Sequence, residues 1–447
     1  MGLWRNILLN LPEVKQPLEK RLPFNTKLKW TLIILVAYFI LALIPLYGLG
    51  QAALQRFEFL AVILGTSFGS IISLGIGPIV TASIVLQLLV GSKILNIDMQ
   101  DSEGRKFFQG LQKMLAFLFT AFEATVFVMM GGLSPAVGFS PWLLIFQLFL
   151  GGLLIIYMDE VVSKYGFGSG VGLFIVAGVS SQLFIRLLSP FSAHGSTGAA
   201  GKLWLLFTML GAGELGGSFA ILFTIAATVG IFLAVVYSQS IKAEIPLSFG
   251  RIRGYGIRWP LNFFYTSNIP VILTAALLAN IQLLGTLSKI PFLQTMANWA
   301  NPPAVLGEGL VGLAVRGALS TTTILQSIVY TLLMVGGSVL FAVFWVKTAG
   351  MDARSQARNI MASGLQVPGF RRDERILEAI LNRYIMPLTV MGGIAVGLLA
   401  AGADLLGALV RGTGILLAVM IVYKLYEEIA QQHALDMHPA LKKFMEK

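Results

Sequence analysis

No Asp, Glu, Lys or Arg occurs between Phe59 and Ser92, and shorter charge-free runs recur to the C-terminal end of this 447-residue chain. A membrane-spanning helix needs about 20 apolar residues to cross a hydrocarbon layer about 30 Å thick. Only 12% of the residues are charged, about half the usual share of a soluble domain. These runs therefore exclude a soluble enzyme and specify a polytopic membrane protein. Ten spans are predicted, starting with Trp30 to about Gly48 and the broken run inside 59–92. The others are Phe108 to Met130, Trp142 to Met158, Gly170 to Leu187, Gly217 to Gln239, Asn262 to Gly285, Ile324 to Val346, Tyr384 to Ala403 and Thr413 to about Ile429.

The 59–92 run is too long for one crossing, and Gly75, Gly77 and Pro78 interrupt it. It reads as a half-inserted helix over about Glu58 to Ser70, a Gly/Pro break, and a short span from Pro78 to Val90; a long kinked helix is the other reading. Irregular backbone at membrane depth is tolerated where it is buried in protein or lines a watery cavity, so the break points to a pore or a carrier site.

Charge placement sets the orientation. Of the 32 Lys and Arg, only Arg56, Arg186, Lys202, Lys289, Arg316 and Arg411 fall on odd-to-even connections. The remainder lie on the termini, the even-to-odd connections or adjoining span ends, which makes both termini cytosolic. The predicted organisation is an amphipathic N-terminal segment (1–29), a first half (30–190), an external connection (191–216), a second half (217–430) and a C-terminal tail (431–447). Trp4, Ile7, Leu8 and Leu11, spaced helically among basic residues, suggest a helix on the membrane surface. Two cytosolic loops, at about 241–260 and 347–383, gather Arg251, Arg253, Arg258, Arg354, Arg358, Arg371, Arg372 and Arg375. RNA, anionic lipid or a pure orientation signal each account for such clusters. Five spans per half is an odd number, so the second half is inverted relative to the first, an arrangement that builds midplane paths. No residue-level repeat is evident, so this symmetry rests on span counting.

With no Cys and three His, thiolate catalysis, disulfides and Cys-ligated metals are excluded. H-E-x-x-H and phosphate-binding glycine motifs are missing, and Gly65-Thr-Ser-Phe-Gly69 matches G-x-S-x-G without a strand or a His partner. Gly168-Ser-Gly-Val-Gly172 suits close helix packing. Glu123 is the one acidic residue deep within a predicted span, a candidate for an ion relay or a cross-helix hydrogen bond.

Five motifs in order carry a resemblance. Leu74-Gly-Ile-Gly-Pro-Ile-Val-Thr81, Gly168-Ser-Gly-Val-Gly-Leu-Phe-Ile175, Ser267-Asn-Ile-Pro-Val-Ile-Leu273, Pro368-Gly-Phe-Arg371 and Gly412-Thr-Gly-Ile-Leu-Leu417 together resemble the SecY family, the large subunit of the protein-conducting channel, in its archaeal branch. The resemblance implies an all-α membrane fold: ten transmembrane helices in two inverted halves around an hourglass pore, closed by a half-inserted plug. It implies an apolar pore ring of Ile76, Val80, Val171, Ile175, Ile272 and Leu417. The implied plug covers about 58–70, including Phe59, Leu64, Gly65, Ser67, Gly69 and Ser70, whose small and polar members suit a part that leaves its seat. The implied lateral gate is Thr81, Glu123 and Asn280; many relatives carry Gln in place of Glu123. Arg251, Arg253, Arg371 and Arg372 are the implied ribosome or partner contacts. SecE-type and Sec beta-type small single-span subunits, signal sequences, nascent chains and lipids are the further implied partners. The implied activity is translocation without catalysis, cofactor or metal, in the cell membrane. The competing functional reading is an inverted-repeat secondary transporter that uses Glu123.

Overall fold

The computed structural model describes residues 12–19, 22–50, 69–91, 94–95, 97, 102–188, 201–249, 256–266, 269–287, 290–303, 309–362, 365–366 and 373–437. Each of the ten predicted spans is a helix. The first half contains α1 (Phe24–Leu43), α2 (Gly77–Gly91), α3 (Ser102–Met129), α4 (Pro141–Tyr165) and α5 (Gly170–Leu188). A short α6 (Lys202–Gly211) lies in the connection and leads to α7 (Leu215–Ser240), α8 (Ile269–Leu287), two small helices α9 (Pro291–Trp299) and α10 (Gly309–Val315), and α11 (Thr321–Thr348). After α12 (Ala353–Ala362), the chain ends in α13 (Glu374–Leu405) and α14 (Gly412–Met437). The starts of α11 and α13 are capped by side chains: Ser320 accepts from the Thr323 amide at 3.2 Å, and Asp373 from the Arg375 amide at 2.9 Å. Each cap satisfies a donor that a helix start otherwise leaves unpaired.

Seven of the described helices are long and apolar enough to cross a membrane. The shortest span, α2, has 15 residues; at about 1.5 Å per residue it covers roughly 22 Å and cannot cross alone. The turn residues 71–76 before it make up the depth, with Ile72 and Leu74 fully buried. This is the predicted break, and helix resumes at Gly77. In α14, Lys424, Glu427 and Glu428 confine the apolar stretch to the first half. Large apolar side chains such as Leu32, Val36, Phe146, Phe219, Leu233 and Leu332 are exposed around the outside. Such a belt would be a liability in water and is a matched surface in lipid.

The principal core runs through both halves, from Ile34 and Tyr38 through Ile155, Phe174 and Val235 to Tyr330, Met334, Phe341 and Leu416. Small residues allow its closest approaches. A Cβ on Gly397 of α13 would lie 2.7 Å from the Cα of Val335 in α11, whereas one on Gly402 would meet nothing within 4 Å. Gly397→Ala is expected to destabilise the protein by about 1–3 kcal/mol through overpacking, seen as a lower thermal midpoint in detergent, with Gly402→Ala as the unaffected control.

The two Arg-rich loops fold together. Strands β1 (Lys242–Phe249) and β2 (Gly256–Asn262) pair antiparallel, and β3 (Leu365–Gln366) from the second loop pairs with the other edge of β1, giving the order β2-β1-β3. Ile245 and Leu261 pack with Ala357, Ile360, Leu377 and Leu381 beneath this sheet. Neither the sheet nor the small helices α6, α9, α10 and α12 were read from the sequence.

The N-terminal segment is described over residues 12–19 and from residue 22. Residues 12–19 are not helical, as Pro12 and Pro17 would lead one to expect, and residues 12–15 bond to Lys113 of α3 and to the last turns of α4. The Val14 amide donates to Glu160 Oε2 at 3.0 Å, Lys164 Nζ to the Val14 carbonyl at 2.5 Å, and Tyr165 Oη to the Lys15 carbonyl at 2.8 Å. Lys113 of α3 pairs with Glu160. The C-terminal helix reaches the same face: Gln432 donates to the Leu22 carbonyl at 3.0 Å, and Lys27 donates to Gln432 Oε1 at 3.0 Å. Trp4, Ile7, Leu8 and Leu11 lie outside the described residues.

Candidate pore and gate

Four helices from both halves bring the six ring candidates into one apolar cluster. Ile76 closes the turn before α2, Val80 follows one turn later, Val171 and Ile175 face inward from α5, Ile272 sits in the first turn of α8, and Leu417 in the second turn of α14. Ile76, Val80, Ile175 and Leu417 are buried at 5–6% exposure, with Val171 and Ile272 half-buried against the same cluster. Branched aliphatic side chains offer an ion no oxygen to replace its hydration shell, and a dry constriction of this kind resists conduction.

Beside this cluster, Thr81 is a polar hub. Its hydroxyl donates to Glu123 Oε1 at 2.9 Å and accepts from Asn280 Nδ2 at 3.2 Å. The three residues come from α2, α3 and α8, so one bond lies within the first half and the other joins the two halves. Glu123 is buried, whereas Thr81 and Asn280 are half-buried. The sequence reading missed a second link between α2 and α3: Gln112 Nε2 donates to Ser83 Oγ at 2.7 Å, and Ser83 Oγ donates back to the Ile79 carbonyl at 2.9 Å. Ser83 follows Thr81 by two positions, and a polar pair at that spacing in an apolar helix was the available signal. These bonds hold α2 to α3 through Thr81 and Ser83, while Thr81 to Asn280 is a polar tie across to α8.

Of the plug candidates, Phe59, Leu64, Gly65 and Ser67 lie outside the described residues. Gly69 and Ser70 form a turn and a bridge, not the end of a helix. Ser70 is buried and pairs with Pro45, and the Leu46 amide donates to the Gly69 carbonyl at 2.7 Å. This seam ties the start of the 71–76 turn to the end of α1. Arg251, Arg253, Arg371 and Arg372 also lie outside the described residues; Arg258 on β2 is exposed and pairs with Glu244 at 2.9 Å.

The family model described as SecY matches residues 70–426, a stretch that carries the ring cluster and the polar hub together. The chain belongs to the SecY family. It is 48% identical to the protein translocase subunit SecY of Methanothermobacter thermautotrophicus, over 97% of this chain and 96% of that protein. A solved structure of a protein conducting channel superposes with a TM-score of 0.81 at 40% identity, covering 97% of this chain and 98% of that one. Sec61 in the canine ribosome-channel complex from the endoplasmic reticulum superposes with a TM-score of 0.78, also at 40% identity, with the same coverage. The fold is thus that of the SecY and Sec61 channels, and the chain is a multi-pass membrane protein. The secondary-transporter reading finds no support among these relatives.

Proposed function

We propose that this chain forms the protein-conducting channel of a translocase, passing unfolded polypeptides across the membrane and releasing apolar helices sideways into lipid. The observation that supports this reading is that Ile76, Val80, Val171, Ile175, Ile272 and Leu417, from segments of both halves, belong to one apolar cluster at the core, where they would form the constriction. A ring of this kind yields to an extended chain while giving ions nothing to bind. Thr81, Glu123 and Asn280 form the lateral gate, because their bonds join the edge of one half to the other. A passing signal segment of about 7–15 apolar residues gains roughly 0.3–0.6 kcal/mol per large aliphatic residue in lipid, enough to offset one or two such bonds.

The two inverted halves surround this path, residues 58–70 act as the plug below the ring, and the chain itself performs no catalysis. The two Arg-rich loops supply Arg251, Arg253, Arg371 and Arg372 for contact with a ribosome; the similarity to Sec61 in a ribosome-channel complex supports this docking. SecE-type and Sec beta-type subunits complete the complex in the cell membrane, with both termini cytosolic, in keeping with the contact of the Leu22 and Gln432 regions on one face. The test is single-channel conductance in planar bilayers, comparing the wild type with a deletion of residues 59–68. Large flickering currents in the deletion alone are expected; silence in both would defeat the plugged-channel reading.

A further inference from the structure

The last helix of each half begins in the same way. In α5, the Val171 amide donates to Asp159 Oδ1 of α4 at 2.8 Å; in α14, the Gly412 amide donates to Asp404 Oδ1 of α13 at 2.7 Å. Each helix starts on a glycine pressed against the preceding helix: a Cβ on Gly170 would lie 2.5 Å from Asp159 Cα, and one on Gly412 would lie 2.1 Å from the Ala400 carbonyl oxygen. The two helix starts also share a pattern, Gly170-Val-Gly-Leu-Phe-Ile175 and Gly412-Thr-Gly-Ile-Leu-Leu417. Contacts between the helices are reciprocal. A Cβ on Gly172 would lie 3.3 Å from Ile421, and one on Gly414 would lie 3.1 Å from Val179, so each second glycine meets the residue two turns beyond the other. Such isologous pairing, in which each contact has its mirror, marks a two-fold axis. The opposed numbering makes the helices antiparallel, and the axis falls one turn in from each glycine. Ile175 and Leu417 stand there.

We propose that Asp159 and Asp404 are positioning residues for the pore ring: each carboxylate fixes the axial height of the helix that carries a ring side chain, so that Ile175 and Leu417 meet at the two-fold. The inference rests on the ring reading above. A carboxylate binding backbone amides at a helix start is a charge-assisted link reinforced by the helix dipole; Asp404 is buried and Asp159 half-buried, so neither exchanges freely with water. Such a link outlasts the sliding to which a glycine-lined helix pair is otherwise prone. Asp404 is held in turn by Tyr330 Oη, which donates to Oδ2 at 2.5 Å, and Asp159 neighbours Glu160, which binds the N-terminal segment and Lys113. Both tethers are therefore anchored to helices outside the pair they position.

The test compares resting ion conductance of the reconstituted full chain for Asp159→Ala, Asp159→Asn, Asp404→Ala, Asp404→Asn and Tyr330→Phe, with the triple variant Ile76→Gly, Val80→Gly, Ile175→Gly as the ring control. The Ala variants are expected to raise the leak about tenfold, the loss of one hydrogen bond to a charged group. The Asn variants, which keep an acceptor oxygen, are expected to restore it to within about twofold. Tyr330→Phe removes the bond that orients Asp404 but keeps its amide link, and is expected to raise the leak by less than Asp404→Ala does; a leak equal to that of Asp404→Ala would overturn the amide link as the tether. Silent Ala variants beside a leaking ring control would overturn the tether and leave the ring standing, as would equal leaks from Ala and Asn. A silent ring control would overturn the ring reading itself, and helix position is then read from disulfides. The chain has no Cys, so Gly172→Cys with Ile421→Cys, and Gly414→Cys with Val179→Cys, report the register directly. Both pairs are expected to cross-link, with the first lost in Asp159→Ala and regained in Asp159→Asn; yields that ignore Asp159 overturn the tether.

Discussion

Ile76→Gly, Val80→Gly and Ile175→Gly, introduced together, are expected to turn a resting channel that is silent to ions into one that conducts, with mean current across planar bilayers rising about tenfold or more. The three side chains come from the turn before α2, from α2 and from α5, and are all nearly inaccessible, at 5% exposure each. Removing them widens the constriction, exposes backbone carbonyls and lets water persist where it was excluded. An ion then keeps its hydration or finds oxygen ligands, and a barrier lower by about 1.4 kcal/mol already corresponds to a tenfold change. Leu222→Ala, Val229→Ala and Leu233→Ala on the exposed face of α7 are the matched control and should remain silent. Unchanged conductance in the triple Gly variant would mean that these residues are ordinary packing.

Thr81→Val is expected to loosen the gate more than either Glu123→Leu or Asn280→Leu. The hydroxyl of Thr81 is the shared partner of both other side chains, and valine keeps its shape while removing both bonds. Cross-helix hydrogen bonds in membranes are worth about 0.6–2 kcal/mol each, so a single loss shifts the closed-to-open balance by roughly 3- to 30-fold. The shift is measurable as export of reporters whose signal segments have had apolar residues removed one at a time. Glu123→Leu should lower the required number of apolar residues by about one to six, the worth of one such bond at about 0.3–0.6 kcal/mol per aliphatic residue. Asn280→Leu should do at least as much, because its bond is the one that crosses between halves. Combining Glu123→Leu with Asn280→Leu should give little beyond Thr81→Val, since residues on one hub are not additive. An unchanged signal requirement in all of these variants would remove the polar hub from the gate.

The reach of sequence reasoning here follows from the solvent. In lipid, backbone polar groups must be satisfied within the segment, so runs of apolar residues could become little other than helices, and all ten spans appeared near their expected positions. The break at Gly75 to Pro78 was legible for the same reason: a charge-free run of that length cannot be a single crossing. The membership of Thr81, Glu123 and Asn280 in one site was reached through a resemblance, not through spacing, because these residues are far apart in the chain and each is unremarkable alone.

Other features depend on pairings that no local signal encodes. The strands at 242–249 and 256–262 hold Pro246 and Pro260 and alternate poorly, and β3 is two residues contributed from more than a hundred positions away. Glu123 stood out in the sequence as a lone intramembrane acid, yet its nearest polar partner, Thr81, is the hub. Lone acids are visible in an apolar sequence, while a threonine is common there and becomes a hub only when two other helices deliver an acceptor and a donor to it.

By itself the sequence determined that the chain is a bundle of ten membrane helices with an irregular entry to the second, since apolar length and charge placement act locally and the bilayer enforces them. The tertiary structure alone decided that Ile76, Val80, Val171, Ile175, Ile272 and Leu417 share one apolar cluster, that Thr81 bonds both Glu123 and Asn280, and that α5 and α14 pack through Gly172, Ile421, Gly414 and Val179. Those outcomes turn on close contacts between helices remote in the chain, where the difference between glycine and any larger residue determines whether two backbones can meet.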